Sequence, residues 1–81
     1  ANIFPNPVRS ELNIQMKRPL LVDMISILDL NGKVVKTVTQ PSQQSSIIKV
    51  VTDEIPQGIF LVQIKDNQGR MFHRKFIKMY D

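Results

Sequence analysis

Ile55-Pro56-Gln57-Gly58-Ile59-Phe60-Leu61-Val62-Gln63-Ile64-Lys65-Asp66-Asn67-Gln68-Gly69 is the stretch from which the fold class can be read. From Ile59 to Lys65 the side chains divide with a period of two: Phe60, Val62 and Ile64 on one face, Ile59 and Leu61 on the other. That is a strand with apolar residues on both faces, and it has no helical period. A corner precedes it, because Pro56 suits the second position of a turn and Gly58 the fourth, which directs Phe60 inward with Val62 and Ile64. Asp66-Asn67-Gln68-Gly69 turns the chain after it. A buried strand held between two turns needs partner strands.

The rest of the chain supplies them. Leu12, Ile14 and Met16 alternate with Glu11, Asn13 and Gln15, the pattern of a half-buried strand. Leu20 to Asp29 is a longer strand that ends at Asp29-Leu30-Asn31-Gly32, and Lys33 to Thr39 follows with Val34, Val35 and Val38. Gln40-Pro41-Ser42-Gln43-Gln44-Ser45 reads as a polar loop. Ile47 to Val51 is a short strand, and Arg70 to Lys78 closes the chain. Short strands with turns between them, spaced by roughly 8–12 residues, predict an all-β sandwich. No segment predicts a helix. Pro5-Asn6-Pro7 is stiff, since each proline fixes φ and lacks a donor, so it suits an edge and not a sheet centre.

The Asn31-Gly32 hairpin permits two registers. A two-residue loop sets Ile27 opposite Lys36. A three-residue loop, Leu30-Asn31-Gly32 with Gly32 at positive φ, pairs Asp29 with Lys33 and Ile27 with Val35. The second places apolar opposite apolar, and each such match contributes roughly 0.2–1 kcal/mol. The three-residue loop with Ile27 opposite Val35 is therefore expected.

Composition narrows the functions. Eighty-one residues make one domain with a modest core. There is no cysteine, which excludes disulfides, thiolate nucleophiles and Cys-based metal sites. No apolar run approaches the ~18 residues of a membrane span, and Ala1-Asn2-Ile3-Phe4-Pro5 is not a signal peptide. Eleven Lys and Arg against seven Asp and Glu leave a charge of +4. A solvated basic surface explains that balance more simply than nucleic-acid binding, because no aromatic sits in a base-stacking motif.

Residues that could carry chemistry lack partners at workable spacing. His73 is the single histidine and lies in a strand pattern. Asp53-Glu54 reads as a solvated turn ahead of Pro56. Asp66-Asn67-Gln68-Gly69 lacks the spaced acidic ligands of a calcium loop. Met16, Met24, Met71 and Met79 read as core filler. Three glycines, each placed at a turn, build no phosphate loop. No cofactor is implied, and the domain is expected to be non-catalytic.

Four stretches in register resemble the C-terminal sorting domain of the type IX (Por) secretion system. They are Phe4-Pro5-Asn6-Pro7 with Glu11-Leu12-Asn13-Ile14; Ile27-Leu28-Asp29-Leu30-Asn31-Gly32-Lys33-Val34-Val35; Ile55-Pro56-Gln57-Gly58 with Ile59-Phe60-Leu61-Val62-Gln63-Ile64; and Arg74-Lys75-Phe76-Ile77-Lys78. The resemblance implies an immunoglobulin-like β-sandwich of about seven mostly antiparallel strands. It makes residues 1–81 a single sorting domain at the end of a larger secreted precursor, behind an upstream cargo, in Bacteroidota bacteria. The precursor would reach the periplasm by its own signal peptide and pass the outer-membrane translocon. A cysteine-peptidase sortase would then commonly remove the domain, leaving the cargo on the surface or released. Pro5, Asn6, Pro7, Asp29, Asn31, Gly32, Lys33, Pro56 and Gly58 stand at the family's structural positions. The chain departs from the family at Leu28 and Phe60, where tyrosine is frequent, and runs on through Met79-Tyr80-Asp81.

Within that resemblance, Arg74, Lys75, Phe76, Ile77 and Lys78 are the expected contacts with the export machinery. Lys75 and Lys78 would act as surface charges and Phe76 or Ile77 as an apolar anchor, on a terminal strand that keeps one edge free. The same charges would also guard that edge against aggregation. A rival of the same fold, an adhesion or carbohydrate-binding module, would show exposed aromatics; the chain has no Trp and one Tyr. A hinge at Gln40 to Ser45 would allow strands to exchange in a domain-swapped dimer.

Overall fold

A computed structural model describes residues 2–39 and 45–80, with the side chains of all of these except residues 18–20 and 45. Seven strands succeed one another: β1 (Asn2–Phe4), β2 (Glu11–Leu20), β3 (Val22–Asp29), β4 (Val34–Thr39), β5 (Ser45–Val51), β6 (Gly58–Asp66) and β7 (Met71–Lys78). They form two antiparallel sheets, β1-β2-β5 and β4-β3-β6-β7. In the constant-type immunoglobulin arrangement the fourth strand pairs with the fifth; here it pairs with the third, so it joins the sheet of β3, β6 and β7 and leaves β1, β2 and β5 as the three-stranded sheet.

Most boundaries follow the sequence pattern, and the exceptions are specific. The strand expected from Leu20 to Asp29 starts at Val22, because Leu20 ends β2 and the chain turns at Leu21. The backbone carbonyl of Leu21 accepts a hydrogen bond from Asn67 N–H at 2.9 Å, which fixes this junction to the turn after β6. β1, a segment too short to show a period, pairs with β2 as Ile3 opposite Ile14. The polar loop and hinge expected at Gln40 to Ser45 lie outside the described residues up to position 44, and so does Asp81.

Alternation fills the space between the sheets. Leu12, Ile14 and Met16 from β2 meet Ile25 and Ile27 from β3, Phe60, Val62 and Ile64 from β6, and Phe76 from β7. Val8 and Ile55, from connecting segments, are buried at the ends of this layer. Phe60 stands opposite Phe76, and their rings stack with centroids 5.9 Å apart. A phenolic hydroxyl at this buried position would need a partner.

Two hairpins of the four-stranded sheet use one local solution. In Asp29-Leu30-Asn31-Gly32-Lys33, Asp29 Oδ1 accepts from the N–H of Asn31 and of Lys33, both at 2.9 Å. Asp29 N–H donates to Lys33 C=O, and Gly32 N–H to Asp29 C=O. In Asp66-Asn67-Gln68-Gly69-Arg70, Asp66 Oδ1 accepts from the N–H of Gln68 and Arg70, with the same two main-chain bonds. Gly32 and Gly69 sit at φ of +86° and +82°, where a side chain is strained. The carboxylate at the first position and the glycine at the fourth thus make the same bulged turn twice.

The first hairpin differs from expectation beyond its mouth. Asp29 pairs with Lys33 as predicted, and Leu28 faces Val34, but Ile27 faces Lys36 and not Val35. A register shift between Ile27 and Leu28 leaves Val35 as an extra residue. Its effect is to reverse the faces of the rest of β4, so that Val38 comes opposite Ile25 and packs against the core. Local pairing favoured Val35; burial of Val38 across the sandwich outweighs it. Lys36, turned toward the interior side, ion-pairs with Glu54 and donates to Val51 C=O at 2.7 Å.

Phe60→Ala removes half of the ring stack and is expected to cost about 3–5 kcal/mol in urea unfolding; an unchanged midpoint would show that the stack contributes nothing. Asp66 gives a pH signature. Burial opposes ionisation of this fully buried carboxyl, but the N–H of Arg70, its guanidinium at 2.7 Å and the N–H of Gln68 hold it below the usual carboxylate range. A depressed acid stabilises the fold above its unfolded value, about 3.9, and loses that contribution as pH falls through the folded value. Stability should therefore drop below about pH 4, and Asp66→Asn should flatten that drop in acid titrations followed by circular dichroism.

Candidate functional site

β7 is the last strand of the four-stranded sheet and pairs with β6 along its whole length. Its alternation sends Phe72, Phe76 and Lys78 toward the sandwich interior, and Met71, His73, Lys75 and Ile77 outward. Arg74 has the inner parity but is exposed, and its Nη1 donates to His73 C=O at 2.7 Å. His73 Nε2 lies 3.2 Å from Nε2 of Gln63, its cross-strand neighbour.

The five expected contact residues therefore separate. Arg74, Lys75 and Ile77 are exposed, and Ile77 stands opposite Ile59 while Lys75 stands opposite Leu61. Phe76 is 1% exposed and Lys78 is 3% exposed. The expectation of Lys78 as a surface charge is corrected here. Its parity points it inward, and its Nζ donates to the carbonyls of Thr52 and Ile55 in the turn between β5 and β6. The ring of Tyr80 lies 5.8 Å from the same ammonium. Sequence reading missed this because a lysine on a strand end gives no sign of where carbonyls will be waiting.

The free edge is shorter than expected as well. Val8 N–H donates to Ile77 C=O at 2.7 Å, and Met79 N–H returns to Val8 C=O at 2.8 Å, a short parallel bridge. Pro5-Asn6-Pro7 brings the chain from β1 in one sheet to this contact on the other, with both X–Pro bonds cis. Asn6 Oδ1 accepts from Ile77 N–H at 3.4 Å. Among the described strands, the part of β7 before Phe76 pairs with β6 alone.

The other motif residues fall into the same framework. Asp29, Asn31, Gly32 and Lys33 form the first hairpin, and Pro56 and Gly58 flank the corner that delivers Phe60 to the core. Asp53 and Glu54 sit in the turn before Pro56. Glu54 is held below the usual carboxylate range chiefly by its bond from Lys36. Among the described residues, no group of three His, Asp or Glu is gathered to hold a metal ion.

The separation predicts a contrast in stability. Lys75→Glu should shift unfolding by less than about 0.5 kcal/mol, as an exposed substitution. Lys78→Glu sets a carboxylate against two carbonyls and should cost about 3–5 kcal/mol. Equal midpoints for the two variants in thermal denaturation would contradict the burial of Lys78.

A family model described as "Secretion system C-terminal sorting domain" matches residues 2–79, nearly the whole chain. No curated protein and no solved structure matches it. The match runs from β1 through β7 and takes in both bulged hairpins, the corner before β6 and the terminal strand. The chain belongs to the C-terminal sorting domain family of the type IX (Por) secretion system.

Proposed function

We propose that this domain is the address of a larger precursor, and that the outward side of β7 is part of what the type IX translocon reads. Membership in the family makes the chain a sorting signal for secretion to the cell surface or beyond. The finer reading is a sequence of steps. A cargo fused ahead of Ala1 reaches the periplasm, the folded domain engages the translocon, and a sortase removes the domain so that the cargo stays on the surface. In this reading the outward Lys75 and Ile77 make the contacts, with Arg74, exposed despite its inner parity, beside them. Phe76 and Lys78 hold the strand that presents them. The single observation that carries it is the family match over β1 to β7, joined to a terminal strand with a basic and aliphatic outer side.

The domain needs no chemistry of its own for this. A folded module supplies fixed geometry, and charge at the rim of a contact mainly governs the rate and selectivity of encounter. Residues 1–81 fused to an inert periplasmic protein, in a host with the type IX machinery, should carry it outside the cell. Arg74→Glu with Lys75→Glu should lower the exported fraction while leaving the unfolding midpoint near that of the parent. Retention of the intact, folded fusion in the periplasm would refute the address. Loss of the domain's mass from exported protein, and its persistence when the sortase is deleted, would test the cleavage step.

A further inference from the structure

Exposed aliphatic side chains occur on both outer faces, and the strand register decides what they amount to. On the three-stranded sheet Ile47 stands opposite Gln15 and Val51 opposite Glu11, so each is a single apolar residue among polar neighbours. On the four-stranded sheet the partners are themselves apolar. Val34 faces Leu28, Leu28 faces Leu61, and Leu61 faces Lys75 across all four strands. In the neighbouring row Ile59 faces Ile77. Residues directly opposite share a face, so these six side chains form one continuous surface. Val34, Ile59 and Ile77 are 51%, 44% and 45% exposed, while Leu28 and Leu61 are half-buried beneath them. Scattered apolar residues are ordinary on a protein surface; a contiguous patch marks an interaction site.

The charge on this face is one-sided. None of the paired outward positions of β3, β4, β6 and β7 is Asp or Glu, whereas Lys65 and Lys75 are both there. Two copies of such a face would bring these lysines together with no carboxylate at a paired outward position to neutralise them. A lipid surface would accept the lysines, but the patch consists of short, stiff Val and Ile and of Leu, without the Trp or Tyr that favour a membrane boundary. A protein with an apolar centre and carboxylates at its margin answers both features.

We infer that the export partner docks on the outer face of the four-stranded sheet, over Leu28, Val34, Ile59, Leu61, Lys75 and Ile77, and that this partner is an acid-rimmed protein surface. The inference rests on the sorting reading and extends it: the recognised surface leaves β7 and spreads across β6 to β3 and β4. Phe76 and Lys78 face inward, so the terminal strand has its outward residues alone to offer, and the adjoining strands complete the area.

The decisive variant lies off the terminal strand. Ile59→Ser with Val34→Ser, in the 1–81 fusion, should lower export roughly tenfold or more, the scale expected when two half-exposed aliphatic contacts are lost. Ile47→Ser with Val51→Ser on the other sheet should export like the parent. Should the double variant not fold, Ile59→Ser and Val34→Ser are scored singly, each checked by thermal midpoint. Lys75→Glu should lose more export than Lys75→Gln, as an acidic partner requires. Full export of the β6 and β4 variants overturns the inference and leaves the terminal-strand address standing, whereas retention of the intact fusion overturns both. Equal export of Lys75→Glu and Lys75→Gln overturns the acidic partner. Dimers in sedimentation that Ile77→Ser abolishes, or binding to phosphatidylglycerol vesicles that Lys75→Glu abolishes, would assign the face to a second copy or to lipid and overturn it as well.

Discussion

The ammonium of Lys78 lies buried at the end of the last strand, where the carbonyls of Thr52 and Ile55 accept its hydrogen bonds. Burying a charge costs several kcal/mol unless its donors are satisfied, so this contact is stabilising only when three separate segments arrive together. β7 brings the lysine. The turn after β5 brings the carbonyls, and that turn is in turn held by Thr52, whose N–H donates to Ser10 C=O and whose hydroxyl donates to Arg9 C=O. Val8, two residues before Ser10, bonds back to Ile77 and Met79. The N-terminal segment, the β5–β6 turn and the C-terminal strand thereby close one end of the sandwich as a unit.

That arrangement separates support from presentation along a single strand. Phe76 and Lys78 are spent on packing and on the closed end; Lys75, before them, and Ile77, between them, are turned to solvent. A chain without cysteine has no covalent device to hold a terminal strand, so its order must come from buried side chains and main-chain bonds. The bulge at Val35 works similarly one sheet edge away. It spends Lys36 and Val38 on the interior side and leaves Val34 on the outer face, in line with Leu28, Leu61 and Lys75. The outer face of the four-stranded sheet is the by-product of these inward commitments.

A comparison of the two hairpins shows how local chemistry repeats where the sequence differs. Asp29-Leu30-Asn31-Gly32-Lys33 and Asp66-Asn67-Gln68-Gly69-Arg70 share the acid, the glycine and the following cation. The two carboxylates make the same pair of bonds to main-chain N–H groups. They differ in burial: Asp66 is fully buried and takes the Arg70 guanidinium as well, while Asp29 is left partly open beside an exposed Lys33. The shared turn is a property of five residues; the second hairpin adds an ion pair within them, and its Asn67 N–H bonds to the carbonyl of Leu21, where the chain returns from β2.

Much of the fold was legible because period-two alternation and turn residues act over short distances. The alternation of Leu12 to Met16, the inward set Phe60, Val62 and Ile64, and Gly32 at positive φ were all readable from neighbours in the chain. The family likewise follows from four short stretches in order. What the chain alone did not decide were contacts between distant segments. Ile27 meets Lys36 because Val38 gains more from the core than Val35 gains from its cross-strand partner. Lys78 is interior because carbonyls 23 and 26 residues earlier come to meet it, not because of anything beside it in sequence. Sequence determined which residues could pair and turn; the tertiary structure decided that Lys78 is buried, since its carbonyl partners come from a segment distant in the chain.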